Sequence, residues 1–104
     1  MFAVEPLFRF LDAVADTNIP IIAGVWPLAS LRNATFMKNE VPGVMVPDAL
    51  LERLAAVPDR DGQRRIGIEI AREIIGQIRH RIAGIQVSAP LGNVHTALEV
   101  AQGW

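Results

Sequence analysis

Two apolar runs decide what this chain can fold into: residues 19–26, IPIIAGVW, closed by Pro27, and residues 85–89, IQVSA, preceded by Gly84. Both are short, contain β-branched residues and are bounded by Pro or Gly, which reads as strand rather than helix. The first is apolar almost without interruption, the pattern of a strand covered on both faces rather than on one. Pro20, lacking an N–H, fits the start of such a strand better than its centre. About sixty residues of helical pattern separate the runs, far beyond a hairpin, so the strands run parallel through a right-handed crossover. Two parallel strands are not a free-standing architecture, because such sheets need helices on both faces and each strand here keeps an open edge. The chain is therefore expected to be part of something larger: a longer protein with further strands, or an assembly whose copies complete one another's sheet.

The helices around these strands announce themselves by period and caps. Residues 5–16 space Leu7, Phe8, Leu11 and Val14 on one side, with Pro6 near the start, where proline suits a first helical turn. Ser30 caps a helix running to about Lys38, and VPGVMVP follows as a Pro/Gly loop. Pro47-Asp48 opens a short helix with Leu50, Leu51 and Leu54 inward, ended by Pro58. Asp59 or Asp61 caps a long helix whose Ile66, Ile70, Ile74, Ile78 and Ile82 recur every fourth residue, widened by Ala71 and Ile75. Its opposite side, with Arg64, Arg65, Glu69, Arg72, Glu73, Arg79 and Arg81, reads as a solvated face held by pairs such as Asp61 with Arg65 and Arg65 with Glu69. Pro90-Leu91-Gly92 forms a loop after the second strand, and Asn93 caps a last helix, VHTALEVAQ.

Composition removes several functions. With 104 residues, 51% of them hydrophobic, the chain makes one domain, 1–104, with a core and no second domain. Ten Lys+Arg against eleven Asp+Glu leave a net charge of -1, no basic field for nucleic acid and none for an anionic membrane. The apolar stretch at residues 19–31 is broken by Pro20 and Pro27 and is too short to span a bilayer. No cationic stretch precedes an apolar run at the N-terminus, so no secretory signal is expected, and the sequon Asn33-Ala34-Thr35 has no meaning outside a secreted protein. The absence of cysteine excludes disulfides, thiolate zinc and thiol nucleophiles, and fits the cytoplasm. His80 and His95 lack a second ligand at metal spacing, Ser88 lacks an elbow and a base, and no glycine-rich phosphate loop occurs.

Read as a unit, IPIIAGVWPLASLRNATFMKNEVPGVMVPDALLERL resembles the last third of methylenetetrahydrofolate reductase, most closely the form fused behind a homocysteine S-methyltransferase domain. The resemblance rests on Gly24-Val25-Trp26-Pro27-Leu28 leading into a helix with Asn33, on Val46-Pro47 opening a helix that ends Leu50-Leu51-Glu52-Arg53-Leu54, on Gly67-Ile68 and Ala71, and on Gly84-Ile85 through Ser88-Ala89-Pro90-Leu91-Gly92-Asn93. It implies an α/β fold: the C-terminal portion of a (β/α)₈ TIM-type barrel, two parallel strands with about five helices, matching the seventh and eighth strands. Barrel active sites lie at the C-terminal strand ends, here Trp26-Pro27-Leu28 and Ser88-Ala89-Pro90. The family uses a nicotinamide to reduce FAD, and the reduced flavin passes hydride to 5,10-methylenetetrahydrofolate, giving 5-methyltetrahydrofolate in one-carbon metabolism and methionine biosynthesis.

By that resemblance the general-acid glutamate and most flavin contacts belong to earlier strands, so this chain alone is expected to bind no FAD and to be inactive. What remains is part of the folate-facing wall. Asn33 aligns with the amide that hydrogen-bonds folate, where relatives often carry Gln, and Met37 or Phe36 with the aromatic that stacks on it. Trp26 stands at a strand end able to line a pocket. Gly92 or Asn93 stands where the family has the arginine that meets the glutamate tail, so that cation is missing. The plainer readings are that Asn33 faces solvent on its helix and that Phe36 and Met37 belong to the core. The rival to a reductase fragment is a non-catalytic assembly module, a homo-oligomer or a complement to a separate chain bearing the other strands.

Overall fold

A computed structural model of the chain describes residues 2–89 and 92–104. The expectations placed on Pro90 and Leu91 lie outside the described residues. Helix α1 (Glu5–Ala13) is followed by a 3₁₀ turn, strand β1 (Ile22–Val25), helices α2 (Leu31–Glu40), α3 (Asp48–Ala55) and α4 (Arg60–Ile78), a second 3₁₀ turn, strand β2 (Gly84–Val87) and helix α5 (Val94–Ala101). The strands pair in parallel, Ile22 opposite Gly84 and Val25 opposite Val87. Bonds from Ala83 N–H to the Ile21 carbonyl (2.8 Å) and from Ser88 N–H to the Val25 carbonyl (3.0 Å) extend the ladder by one rung at each end. The architecture is thus α/β with two parallel strands and five α-helices among the described residues.

Both strands are shorter than their apolar runs. β1 occupies 22–25 rather than 19–26, because Pro20 and Pro27 bring no N–H to a ladder. β2 occupies 84–87 rather than 85–89. A second correction concerns burial: the uninterrupted apolar run does not produce a strand covered on both sides. Ala23 and Val25 are buried, whereas Ile22 is 66% and Trp26 37% exposed, and Gly24 and Gln86 are exposed between them. Among the described residues the helices lie against one side of the sheet, and Ile22 and Trp26 are exposed on the other.

Helix α4 organises the covered side. Asp59 caps it, its Oδ2 accepting the Gly62 N–H at 2.7 Å. Ile68, Ala71 and Ile75 pack with Val25, the half-buried Ile85 and Val87 of β2, and Val100 of α5. Ile70, Ile74 and Ile78 pack with Ala23 and with Leu7 and Phe8 of α1. A third cluster, Leu28, Ala34, Met37, Val46, Leu54 and Phe2, joins α2 and α3. Of the isoleucine stripe, Ile70, Ile74 and Ile78 are buried as their spacing implies while Ile66 and Ile82 are half-buried, and the buried side is wider than expected, since Ile68 is 2% exposed. The helix ends at Ile78, and Arg79–Arg81 form the 3₁₀ turn that precedes Ile82.

The charged side of α4 does not pair with itself as its spacing implied. Arg65 and Arg64 both reach Glu99 of α5, the latter at 3.8 Å. Arg72, expected to be merely solvated, donates Nε and Nη2 to the Glu99 carbonyl at 2.9 and 2.6 Å, a cation at the end of a helix whose carbonyls lack intrahelical partners. Arg81 bonds Asp12 of α1 at 2.7 Å and stands over Phe8, and Arg79 stands over Trp104. No helix among the described residues is long and apolar enough to cross a membrane.

The closest approach in the core is backbone to helix. A β-carbon on Gly67 would lie 2.8 Å from the Leu28 carbonyl carbon and closer still to its oxygen, so only glycine lets α4 meet the turn between β1 and α2. Neither partner is a flexible side-chain tip that can swing away. Gly67→Ala should therefore cost about 3 kcal/mol or more in thermal or urea unfolding. Gly76→Ala, in the same helix with open space around it, should instead stabilise by about 0.5–1 kcal/mol.

Candidate functional site

The end of β1 and the start of α2 form the most elaborated polar region of the chain. Leu28 is buried and anchors the turn. Ser30, in an extended conformation, accepts the Asn33 N–H on Oγ at 3.0 Å, while Asn33 Oδ1 accepts the Ala29 N–H at 3.2 Å. This reciprocal pair is a variant of the capping box, with the side chain of the third helical residue reaching back past the cap. Gln63, in the first turn of α4, accepts the Leu31 N–H on Oε1 at 2.9 Å and donates Nε2 to the Val57 carbonyl at 2.9 Å. One amide thus ties α2, the α3–α4 turn and α4 together.

Two clefts flank α2. One, of about 660 Å³, is lined by Ser30, Arg32, Asn33 and Phe36 on one side and Arg60 and Gln63 on the other. The second, of about 400 Å³, is apolar and contains Trp26 and Met37 with Phe2, Val41, Val44 and Met45. Asn33 and Phe36 therefore share one cleft and Trp26 and Met37 the other. Phe36 is 56% exposed, whereas Met37 is buried and belongs to the core cluster under α2. Asn93 lines neither cleft: it is the cap of α5, its Oδ1 accepting the Thr96 N–H at 3.2 Å. Nothing local in the sequence marks Arg32, Arg60 and Gln63: the Leu31 partner of Gln63 lies 32 positions away, and Arg32 and Arg60 come together only across the cleft.

A model of methylenetetrahydrofolate reductase matches residues 1–88. The chain belongs to the methylenetetrahydrofolate reductase family. A relative, methylenetetrahydrofolate reductase 2 of Schizosaccharomyces pombe, is 33% identical over 81 residues, which are 77% of this chain and 12% of the relative. The chain thus spans about an eighth of the length of that family member. No solved structure matches it.

At the starts of α2 and α5, side chains of the chain itself occupy amides that the diphosphate of a flavin dinucleotide would seek. Such a group seeks free amides at a helix start. At α2 the N–H groups of Ala29, Leu31 and Asn33 are already taken by Asn33, Gln63 and Ser30, and at α5 that of Thr96 is taken by Asn93. No cluster of three His, Cys, Asp or Glu suited to a metal ion occurs among the described residues.

Around the family residues the charges are arranged unevenly. Lys38 of α2 bonds Asp48 of α3 at 2.5 Å. Arg53 of α3 forms a two-pronged bond with Glu73 of α4, at 3.0 and 2.7 Å, bracing the α3–α4 pair whose connecting turn walls the larger cleft. That hydrogen bond holds the Glu73 carboxyl below its ordinary range, against an opposing desolvation, and raises Arg53 in turn. A carboxyl lowered by folding contributes stability above its unfolded value of 4.5 and loses it as pH falls through the folded value. Both side chains are well exposed, so the contribution is small. Glu73→Gln should cost about 0.5 kcal/mol near neutral pH, and the gap from the parent in urea melts should close as pH drops below the carboxyl's lowered value.

Proposed function

We propose that this chain is the C-terminal part of a flavin-dependent methylenetetrahydrofolate reductase barrel, with β1 and β2 as its seventh and eighth strands. In this reading it supplies part of the folate-facing wall and has no activity alone. The observation that carries the reading is the family match over residues 1–88, together with the two clefts beside α2, one lined by Asn33 and Phe36 and the other by Trp26 and Met37. The open face of the sheet supports it, since a barrel strand presents one face to its helix and the other to the barrel interior.

The roles follow from chemistry. The Asn33 amide nitrogen has no partner among the described residues and donates to an acceptor on the pterin, while its carbonyl oxygen keeps its place on the Ala29 N–H. Phe36 offers an exposed ring face, and Trp26 and Met37 make an apolar wall that excludes water. Asn93 orients the start of α5 beside the β2 end. The flavin, which carries the hydride in the whole enzyme, is held by other parts of the barrel, and the nicotinamide meets the flavin there. The lack of cysteine supports a cytoplasmic setting, and the likeness to the fused form supports a protein longer than this chain.

The test uses Trp26 as reporter. In the Trp104→Phe background, where Trp26 is the remaining tryptophan, titration with 5-methyltetrahydrofolate should quench its fluorescence saturably, and Asn33→Ala should weaken the response about tenfold with little change in melting temperature. No response from Trp26 overturns the folate wall.

A second reading, a non-catalytic assembly module, is favoured by one observation: among the described residues Ile22 and Trp26 are large apolar side chains left exposed on a two-stranded sheet. In that reading copies of the chain, or a separate chain with the other strands, complete the sheet. Sedimentation with and without FAD separates the two. The wall reading expects no flavin absorbance sedimenting with the chain. A closed oligomer unaffected by folate supports the assembly module, and a stoichiometric flavin band in the purified chain overturns both.

A further inference from the structure

The structure assigns to Gln63 the part of a positioning residue: from the first turn of α4 it fixes the direction in which the Asn33 amide of α2 is presented. This deepens the folate-wall reading and rests on that reading for the ligand, but not for the geometry. The amides at the start of α2 are shared out among three side chains. Ser30 Oγ accepts the Asn33 N–H at 3.0 Å, Gln63 Oε1 accepts the Leu31 N–H at 2.9 Å, and Asn33 Oδ1 accepts the Ala29 N–H at 3.2 Å. An amide is planar, so an oxygen held on Ala29 also sets the direction of the nitrogen, the group left to meet a ligand. Everything that aims Asn33 therefore depends on where the Ala29 N–H points.

That direction is set from α4 at two points. Gly67 lies against the Leu28 carbonyl on one side of Ala29, and Gln63 holds the Leu31 N–H on the other. The two are four residues apart, one above the other on the same face of α4, so the turn from residue 28 to residue 31 is pinned at both ends by one helix. Gln63 is itself held at both ends of its amide, since Nε2 donates to the Val57 carbonyl at 2.9 Å. The Leu31 N–H demands an acceptor and the Val57 carbonyl a donor, so only an amide satisfies both, and it has no freedom to turn over. Without the Leu31 bond the peptide units between Leu28 and Leu31 are free to rotate, the Asn33 oxygen loses its donor, and the side chain leaves its aim. Gln63 thus acts on the ligand through Asn33, with which it lines the larger cleft.

The test separates the Leu31 bond from the Val57 bond. Gln63→Leu removes both, whereas Gln63→Glu keeps an oxygen for the Leu31 N–H and loses only the donor to Val57. Both should lower the melting temperature, but only Gln63→Leu should release Asn33. Hydrogen exchange at the Ala29 amide, measured against the Ala34 amide that bonds the Ser30 carbonyl, should quicken about tenfold in Gln63→Leu and keep the parent ratio in Gln63→Glu. With 5-methyltetrahydrofolate as the probe and Trp26 as reporter in the Trp104→Phe background, Gln63→Leu should weaken binding about tenfold, as Asn33→Ala does. The double variant should bind no more weakly than Asn33→Ala alone, because one residue acts through the other. Equal exchange ratios in Gln63→Leu and Gln63→Glu, or additive losses in the double variant, overturn the assignment. If Trp26 ignores the folate in the parent chain, the folate wall falls, and the Ala29 exchange ratio alone decides whether Gln63 positions Asn33.

Discussion

Everything in this fold is hung from the place where α4 touches the backbone of Leu28. Gly67 has no side chain, so the helix axis comes near enough for the Leu28 carbonyl to occupy the space a β-carbon needs. Leu28 lies where β1 has ended and α2 has not begun, so the contact fixes the long helix against the strand-to-helix turn. One and two turns further along α4, Ala71 and Ile75 then pack in one cluster with Val25 and Val100. One turn earlier, Gln63 comes within reach of the Leu31 amide. The packing of the sheet and the shape of the larger cleft are set by the same missing methyl group.

Hydrophobic burial explains which side of α4 faces inward, but the arginines explain why α5 stays where it is. Glu99 receives Arg64 and Arg65 on its carboxylate and Arg72 on its carbonyl, so a single residue of α5 gathers three cations from α4. Exposed pairs contribute little one by one. Their joint effect is geometric: they set the rotation of a short helix that buries only Thr96 and Val100.

What a reader of the sequence can recover divides along the same line. Ser30, Asp59 and Asn93 cap their helices as their residue types and positions imply, because a cap is a bond across three residues. Parallel pairing is legible from the length of chain between the strands. The open face was not: Ile22 and Val25 are equally apolar, and the chain alone does not say that only one of them meets α4. Phe36 and Met37 are adjacent in sequence yet belong to different clefts, because consecutive helix residues point about 100° apart and alignment by one position decides the side. The partners of Gln63, Arg65 and Arg72 are 27 to 34 positions distant, and no local pattern encodes them.

The crossover also orders events in time. Within this chain β1 pairs with β2 across helices α2, α3 and α4, which are made in between. At ordinary rates of synthesis, about 5–20 residues per second, β2 follows β1 by roughly 3–12 s. During that interval α4, the longest element and the one that covers β1, can form from local bonds alone. The ribosome therefore delivers the helix that covers β1 before it delivers the strand that pairs with it in this chain.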